Sequence, residues 1–322
     1  MADVAHEAGV SVASVSNFLN KQPYMSEAMA ARIAEAIDRL GYKVNSSARN
    51  LRSGRTRLLK LVIPDLRQVY FSELAEDILA EARQHGYGVI VESTTNNRAR
   101  ELESIASMGT HSADGLILSP LMMTVDDIAA LDGDYPLVLL GERLFGVNAP
   151  HVVIRNREGA AAATYHLLDA GCRRIAVVGA VPHPEHDFSS GSIRTHGYRE
   201  ALAARGIPCD DSLLIETQGW GSADGLVAVD TMLESGLQFD AVFALNDLLA
   251  WGVLRELRER GVAVPDDVRV IGFDDVEESA YMVPSLSTLT PAGKPSPTGR
   301  RIIIQQVESG SRAPAQIHRG PL

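Results

Sequence analysis

Short apolar runs alternate with longer amphipathic stretches through most of the 322-residue chain. From residue 58 onward the runs have the length and continuous apolar character of strands buried on both faces of a sheet. They predict strands at 58–63, 88–91, 115–118, 137–140, 175–178, 241–244 and 268–271. Helical spacing between the runs predicts helices at 158–170, 194–205 and 247–260. This alternation predicts an α/β core of two doubly wound, parallel-sheet lobes with a ligand between them, at the strand ends.

The N-terminus follows a different pattern, which predicts helix, turn and helix. The first helix covers residues 3–8 and ends at Gly9. Ser11 can then cap a second helix over 12–19, because its hydroxyl can accept a bond from a free backbone N–H of the first turn. The segment therefore reads as a helix-turn-helix.

A third helix follows, and Ser26 and Gly41 are its expected start and stop. Its predicted apolar face comprises Met29, Ile33, Ile37 and Leu40. Three short helices can share one small core. Beyond them, Asn45 can cap one more short helix, which Gly54 ends before the basic sequence Arg55-Thr-Arg57.

These patterns divide the chain into three parts. We expect an all-α helix-turn-helix head at 1–44, a hinge helix and linker at 45–57, and a core at 58–322. Within the core we assign 58–155 and 288–311 to the first lobe, and 156–287 and 312–322 to the second, in the manner of a periplasmic binding protein.

The net charge of −11 argues at first against a nucleic-acid partner, since Lys and Arg drive phosphate binding. Residues 1–60, however, contain nine Lys or Arg and five Asp or Glu, which gives +4 and leaves −15 for the rest. A basic N-terminal segment on an acidic body is typical of a DNA-binding head joined to a sensor.

Composition gives the broad class. Hydrophobic residues make up 45% and charged residues 22%, as in ordinary soluble proteins. We find no apolar run long enough to span a bilayer and no apolar N-terminal signal, so we expect a cytoplasmic protein without a membrane partner. Cys172 and Cys209 lack the spacing of metal ligands and are expected to be packing thiols.

The most specific signal is the run Asp3-Val-Ala-His-Glu-Ala-Gly-Val-Ser-Val-Ala-Ser-Val-Ser-Asn-Phe-Leu-Asn20, followed by Leu40-Gly-Tyr42. In this order the motifs resemble the head of the LacI/GalR family of bacterial transcriptional regulators, D-V-A-x-x-A-G-V-S-x-x-T-V-S-x-V-L-N. The resemblance continues through the hinge and most of the core to Thr290. It implies a repressor that binds a pseudopalindromic double-stranded DNA operator as a homodimer or dimer of dimers. It also implies control by a small effector, commonly a sugar, in the cleft between the lobes.

The resemblance indicates which residues read DNA. Recognition helices place their N-terminal side chains at base edges in the major groove. The candidates are Val12, Ala13, Ser14, Ser16, Asn17 and Asn20. The alternatives are a generic three-helix bundle and, for each residue alone, a plain surface position. Asn17 stands where many family members have Arg, and since Asn suits adenine where Arg prefers guanine, the operator is expected to differ there.

In the hinge, Leu51 is the candidate DNA wedge. Its sequence alone favours an apolar residue of a short buried helix. The resemblance implies instead that paired hinge helices enter the minor groove and that Leu51 opens the central base step. Ala48 would let the two helices pass closely, and Arg49 and Arg52 would contact phosphates, with a solvated linker as the alternative.

Seven core residues match positions that line the family's effector cleft: Tyr70, Phe71, Ser119, Arg194, Trp220, Asn246 and Asp274. Arg194 lies in the motif R-x-x-G-[YW], and its planar five-donor side chain suits hydroxyl or carboxylate oxygens. Asn246 and Asp274 follow predicted strands, where α/β ligands bind. Packing is the alternative for the aromatic residues, and solvation for an isolated Arg. We expect Asp247 to cap the following helix and Asp275 to be solvated.

Two departures from the family pattern concern the ligand. Ile154-Arg155-Asn156 stands where the family often has V-D-N, which puts a base in place of an acid at the cleft or its rim. His183 and His186, with Asp187, have a metal-like spacing, but a solvated loop is favoured because no third fixed ligand is evident.

Two other classes of protein were weighed. A two-lobed solute-binding protein would share the core but not the head. A sugar-modifying α/β enzyme would need a phosphate loop or a paired acid and base. Because no G-x-S-x-G, G-x-x-x-x-G-K-[ST], H-E-x-x-H or EF-hand motif is present, the sequence predicts neither an enzyme nor a cofactor.

Overall fold

In the computed structural model the chain forms two compact units, residues 1–56 and 57–322. The structure describes residues 1–19, 25–42, 55–110, 112–144, 147–183, 189–290 and 317–319. The first unit contains three helices: α1 (Ala2–Ala8), α2 (Val12–Leu19) and α3 (Glu27–Leu40). They follow the predicted order of helices.

The predicted caps of these helices are confirmed. Ser11 Oγ accepts a hydrogen bond from Ser14 N at 3.1 Å, and Ser26 Oγ accepts one from Met29 N at 3.4 Å. Gly9 ends α1 with φ +62°, a left-handed conformation that a side chain would strain. The turn between α1 and α2 therefore depends on this glycine.

The core of the head brings the three helices together through Val4, Ala5, Ala8, Val15, Ile33 and Ala36. The predicted apolar face of α3 is wrong at Leu40, which is 45% exposed. Ala36 is buried in its place, whereas Leu40 is the last residue of the helix, directly before the C-terminal stop.

The second unit alternates strands and helices. Its strands are β1 (Leu58–Ile63), β2 (Gly88–Ser93), β3 (Gly115–Leu118), β4 (Leu137–Leu140), β5 (His151–Val153), β6 (Ile175–Val178), β7 (Leu214–Ile215), β8 (Ala241–Ala244), β9 (Arg269–Phe273), β10 (Ser287–Leu289) and β11 (Ile317–Arg319). Its helices are α4 (Val69–Gln84), α5 (Arg98–Ala106), α6 (Asn156–Asp169), α7 (Ser190–Ala204), α8 (Ser222–Glu234) and α9 (Asp247–Glu259). All seven predicted strands are present, with 88–91 extended to Ser93 and 268–271 shifted to Arg269–Phe273.

The strands form two parallel sheets, in the orders β11-β5-β4-β3-β1-β2 and β10-β9-β8-β6-β7. We call each sheet with its packed helices a lobe. In both lobes the strand order reverses beside the first strand, which is the doubly wound arrangement, and the predicted fold class is confirmed. Alternate residues of a strand pack on opposite faces: Val177 lies in the cluster with α6 and α7, and Val178 in the cluster with α8 and α9.

The predicted division of the C-terminal segments between the lobes is wrong at residues 288–289 and 317–319, the strand residues of these segments that the structure describes. Residues 288–311 were assigned to the first lobe, but β10 pairs with β9 in the second. Residues 312–322 were assigned to the second lobe, but β11 pairs with β5 in the first. The reason is that each short strand extends the free edge of a sheet by backbone hydrogen bonds, which leave little trace in a sequence pattern.

The chain crosses from the first lobe to the second between β5 and α6, at Ile154 and Arg155. Among the described residues, no helix is long and apolar enough to cross a membrane.

Candidate functional site

The N-terminal part of α2 presents an exposed surface. Val12 is 45% exposed, and Ala13 and Asn17 are also exposed. Val15 is fully buried against α1 and α3 and fixes which face of α2 turns outward. Three of the predicted DNA-reading residues are therefore accessible on one side of this helix.

The serines of α2 have more local roles. Ser14 is half-buried, and its hydroxyl lies 2.9 Å from Ser11 Oγ, so it belongs to the cap of the helix. Ser16 is also half-buried. The remaining DNA-contact predictions, Asn20, Ala48, Arg49, Leu51 and Arg52, lie outside the described residues.

Arg39 is one base of the head whose charge is matched internally. It donates to Glu7 at 2.6 Å and to Glu35 at 2.7 Å. The positive excess of residues 1–60 therefore comes mainly from the bases at positions 49–60, and ion pairing of this kind at the surface contributes little to stability.

In the core, Arg194 lies at the centre of a buried polar network and is 3% exposed. Its Nε donates to Asn156 Oδ1 at 2.8 Å, and its Nη1 donates to the Leu245 carbonyl. Its Nη2 donates to Asp274 Oδ1 at 3.3 Å, and the guanidinium lies 3.6 Å from the centroid of the Phe273 ring. Arg194 therefore has a fixed orientation at the carboxyl ends of β8 and β9, where ligands of α/β sheets bind.

The position of Arg194 depends on close packing of α6 against α7. Gly197, one turn after Arg194, lies where an added Cβ would come within 2.2 Å of the Arg157 carbonyl of α6. The two helices can approach this closely only because the residue has no side chain. The glycine of the R-x-x-G motif thus brings Arg194 within reach of Asn156 at the start of α6.

Asp274 follows β9 with φ +113°, a backbone conformation that is strained for a residue with a side chain. Its N–H donates to the Leu289 carbonyl of β10 at 3.0 Å, which holds it there. Burial raises the pKa of Asp274 to about 7, even though Arg194 acts in the opposite direction. The carboxyl is therefore close to a balance between its neutral and charged forms near neutral pH.

Asn246 follows β8 and is 3% exposed. Its Oδ1 accepts from Leu249 N at 2.8 Å, and its Nδ2 donates to the Trp220 carbonyl at 3.0 Å. Asn246 therefore caps α9, and the expectation that Asp247 caps it is wrong.

The two aspartates beside these positions also make internal bonds. Asp247 points back into the second lobe, where it accepts from Ser279 Oγ at 2.8 Å and from Val276 N at 3.1 Å. Asp275, expected to be solvated, is half-buried and accepts from Thr290 Oγ1 at 2.7 Å. Both carboxylates stabilise the loops that carry Asp274.

The aromatic candidates come from both lobes. Tyr70 and Phe71 begin α4 in the first lobe, half-buried, with their rings 5.2 Å apart and edge to face. Burial raises the pKa of Tyr70, Asp274 raises it further, and Arg194 opposes the shift. The charges of Asp274 and Arg194 in the second lobe therefore act on the hydroxyl of Tyr70. Trp220 is half-buried, and its ring lies 5.8 Å from the Arg194 guanidinium.

Ser119 directly follows β3, and its N–H donates to the Val62 carbonyl of β1 at 2.9 Å. It is half-buried. The backbone bond places Ser119 at the carboxyl edge of the first sheet, between the two strands where the strand order reverses.

Sequence reasoning missed three residues that join the lobes. Asn156 Nδ2 donates to both oxygens of Glu142, at 3.1 and 3.0 Å, and so links the second lobe to the loop after β4. Gln68 Nε2 donates to the Trp220 carbonyl, and Gln68 Oε1 accepts from Asn246, both at 3.4 Å. Polar residues closely follow β4 and β5, so the strand-end rule used for Asn246 could have found Glu142 and Asn156.

A pocket of about 520 Å³ adjoins this cleft, between α4 of the first lobe and the turn at residues 277–281 of the second. Tyr70 is one of its walls. Its acidic residues are Glu73, Glu76, Asp77, Glu277 and Glu278. Glu73 Oε1 accepts from Glu277 N at 3.1 Å, which ties the lobes together at this pocket.

The two departures from the family pattern are Arg155 and the segment with His183, His186 and Asp187, and the structure describes Arg155 and His183. Arg155 is half-buried, and its Nε has no hydrogen-bond partner among the described residues. His186 and Asp187 fall outside those residues, and within them no group of His, Cys, Asp or Glu is arranged to hold a metal ion.

Comparisons with known proteins show the family to which the chain belongs. Residues 1–45 match the family described as "Bacterial regulatory proteins, lacI family", and residues 164–303 match "Periplasmic binding protein-like domain". Catabolite control protein A of Priestia megaterium is 32% identical over 89% of this chain and 86% of its own length.

Two solved structures are similar to most of the chain. A regulator of the LacI family from Sanguibacter keddieii is 37% identical, with a TM-score of 0.73 over 82% of this chain and 95% of the other. A LacI-family transcriptional regulator from Enterococcus faecium, solved with bound ribose, is 25% identical, with a TM-score of 0.70 over 82% of this chain and 95% of the other.

Proposed function

The chain belongs to the lacI family of bacterial regulatory proteins, and on that premise we propose that it represses transcription by binding an operator. A sugar bound in its cleft raises or lowers its affinity for that operator. The observation that carries the proposal is the buried network around Arg194, which gathers Asn156 and Asp274 at the strand ends beside Tyr70 of the other lobe. A regulator that reads the chromosome acts in the cytoplasm.

DNA recognition is assigned to α2 and the hinge. Val12, Ala13 and Asn17 form the exposed face of α2 that would meet base edges in the major groove, and an exposed valine suits a thymine methyl group. Leu51 would open the central base step from the minor groove. Two copies of the chain would bind the two halves of a pseudopalindrome, as the resemblance implies.

The effector is assigned to the cleft between the lobes. Arg194 and Asp274 supply charged hydrogen-bonding groups, and Tyr70, Phe71 and Trp220 supply apolar walls on which a sugar ring can stack. Bound ribose in the Enterococcus faecium relative supports a sugar as the class of effector. We propose that the sugar is bound and released unchanged.

Regulation then follows from differential binding. A sugar that contacts groups of both lobes favours one arrangement of the lobes over the other, and the arrangement that orders the paired hinge helices binds DNA more tightly. The coupling is a free energy shared by the two sites, so DNA must change sugar affinity by the same factor.

The test begins by selecting duplexes from a random pool with the full chain, then measures affinity for the selected duplex with and without each of a panel of neutral sugars. We expect a pseudopalindromic site and a change in its affinity of at least about fivefold with one sugar. Leu51→Ala should weaken binding to this site but not to unrelated DNA, whereas Leu66→Ala, at an exposed leucine of the core, should change neither.

Two results would count against the proposal. Recovery of no preferred duplex would contradict DNA recognition. Sugar binding that leaves DNA affinity unchanged would favour a solute-binding protein instead.

A further inference from the structure

Glu142 occupies a place in the cleft that matches Asp274 across the lobes. It lies in the loop after β4 of the first lobe, half-buried, and Asp274 lies after β9 of the second. Asn156 donates to Glu142 at 3.0 and 3.1 Å and accepts from Arg194 at 2.8 Å, while Arg194 donates to Asp274 at 3.3 Å. One arginine is therefore flanked by two carboxylates, one linked through an amide and one bonded directly.

This arrangement leaves the carboxylates with unused capacity. An ionised carboxylate can accept about four hydrogen bonds, and among the described residues the Glu142 carboxylate accepts from Asn156 Nδ2 and from its own backbone N–H. Arg194, in contrast, already donates to Asn156, to the Leu245 carbonyl and to Asp274. The cleft thus offers acceptors to a ligand more readily than it offers donors.

Charge points the same way. The titratable groups that act on the pKa of Tyr70 are Asp274, Arg194 and Glu142, so both carboxyl groups lie near its hydroxyl, and although burial raises the pKa of Glu142, the amide of Asn156 and the charge of Arg194 favour its ionised form. Around Tyr70, two carboxyl groups therefore stand against a single guanidinium.

The pocket beside Tyr70 adds further carboxyl groups near the cleft. The pocket of about 520 Å³ that Tyr70 shares carries five further carboxyl groups, on α4 and on the turn at residues 277–281. An anion that enters or binds here would meet like charges, and their repulsion would weaken its binding. A hydroxyl or an ammonium group would instead find acceptors on both lobes.

We propose that Glu142 is a specificity-determining residue of the effector cleft, which accepts hydrogen bonds from hydroxyl or ammonium groups of the ligand and, with Asp274, admits neutral or amino-substituted polyols while excluding sugar acids. The inference rests on the proposed function, since it concerns the same cleft. It deepens that function by naming the charge class of the effector and a contact from the first lobe.

The experiment uses two matched series of probes, D-glucose, D-glucosamine and D-glucuronate, and D-galactose, D-galactosamine and D-galacturonate. Calorimetry on the full chain measures the affinity for each. In a series that binds, we expect the neutral or amino sugar to bind at least about tenfold more tightly than the acid.

The matched variants are Glu142→Gln and, as a control, Glu259→Gln. Glu259 is an exposed carboxylate at the C-terminal end of α9, where it pairs with Arg255. Glu142→Gln keeps the shape and the acceptor oxygen but removes the charge, so it should shrink the preference over the acid by about tenfold while the control keeps it. A thermal melt of each variant checks that the fold is retained.

The outcomes separate this inference from the function on which it rests. An acid that binds as tightly as its neutral parent, or an unchanged preference in Glu142→Gln, overturns the role of Glu142 and leaves a sugar-responsive regulator standing. If none of the six compounds binds or changes operator affinity, the charge class falls, whereas an operator response to another neutral sugar would still uphold the regulator.

Discussion

Arg194 donates from Nη2 to Oδ1 of Asp274 at 3.3 Å across 80 positions of the chain, and both side chains are almost fully buried. A buried pair of this kind is weak evidence for stability, because taking two charges out of water offsets much of their attraction. The pair instead fixes the orientation of the two side chains. The pair holds a five-donor group and an acceptor side by side at the strand ends, which is the arrangement that a polyhydroxylated ligand requires.

The first prediction concerns this pair. Arg194→Gln and Asp274→Asn should each lower sugar affinity by roughly tenfold to a hundredfold, since a lost charged hydrogen bond costs about 1.5 to 3 kcal/mol. Calorimetry measures the loss, and operator binding without sugar should persist. Arg205→Gln is the control, because Arg205 follows α7 directly and pairs with Asp169 at the surface. Equal affinity in all four proteins would move the site elsewhere.

The second prediction concerns pH. The folded state holds the pKa of Asp274 near 7, above the ordinary value of 3.8 for an aspartate, so the folded protein binds a proton more readily than the unfolded chain between these values. The contribution of this group to stability is therefore fully present below about pH 4 and lost as pH rises through about 7. At 1.36 kcal/mol per pKa unit, the loss has an upper limit of about 4 kcal/mol.

Asp274→Asn removes this titration. Without ligand, the variant should be more stable than the parent at pH 8, and the difference should shrink as pH falls toward 5. Urea denaturation at several pH values measures it. The groups that act on Asp274 are Arg194, Asp247 and Glu73, and all three are retained. Asp275→Asn, at the neighbouring half-buried aspartate, is the control. A stability difference that is constant with pH would contradict the expected titration.

The third prediction concerns the packing of α6 on α7. Gly197→Ala places a Cβ within 2.2 Å of the Arg157 carbonyl, so the helices must separate. We expect the free energy of unfolding to fall by about 1 to 3 kcal/mol, the usual cost of overpacking, and sugar affinity to fall with it because Arg194 moves away from Asn156. Gly109→Ala, where an added Cβ meets no atom within 4 Å, should be close to neutral. Denaturation and calorimetry on both variants decide the matter, and a neutral Gly197→Ala would refute the packing argument.

The elements that the sequence predicted best are those with one dominant physical signal. The strands β1, β3, β4, β6 and β8 are apolar runs buried on both faces, interrupted only by Lys60 in β1, and their predicted bounds agree with the structure. By contrast, β10 has only partly buried or exposed residues, and its pairing with β9 rests on backbone bonds. Nothing in its composition indicates to which sheet it belongs.

The same contrast holds for the cleft. Arg194 and Asp274 could be found from local motifs, because each lies in a recognisable short run next to a strand or helix. Asn156 could not be paired with Arg194 in advance, since their bond depends on how closely two helices pack in three dimensions. The role of Asn246 as the cap of α9 was missed for a related reason: two adjacent residues could both cap the helix, and only the backbone angles decide between them.

The fourth prediction concerns the reading of DNA by α2. Asn17 is exposed, and it lies on the outward face of α2 because Val15 packs the opposite face into the core of the head. The amide of asparagine can pair with adenine through one donor and one acceptor, whereas arginine offers two donors that match the acceptors of guanine. Asn17→Arg should therefore shift the preferred base at one position in each half of the operator toward guanine, by about 1 to 3 kcal/mol. Selection from duplexes randomised at every position, with the parent and the variant in parallel, measures the change base by base.

Glu27→Arg is the control, because it adds the same side chain at an exposed position at the start of α3. It should raise affinity for all duplexes without changing the preferred base, because a contact to phosphate carries no sequence information. If Asn17→Arg also raised affinity uniformly, Asn17 would lie over the phosphate backbone and not over a base.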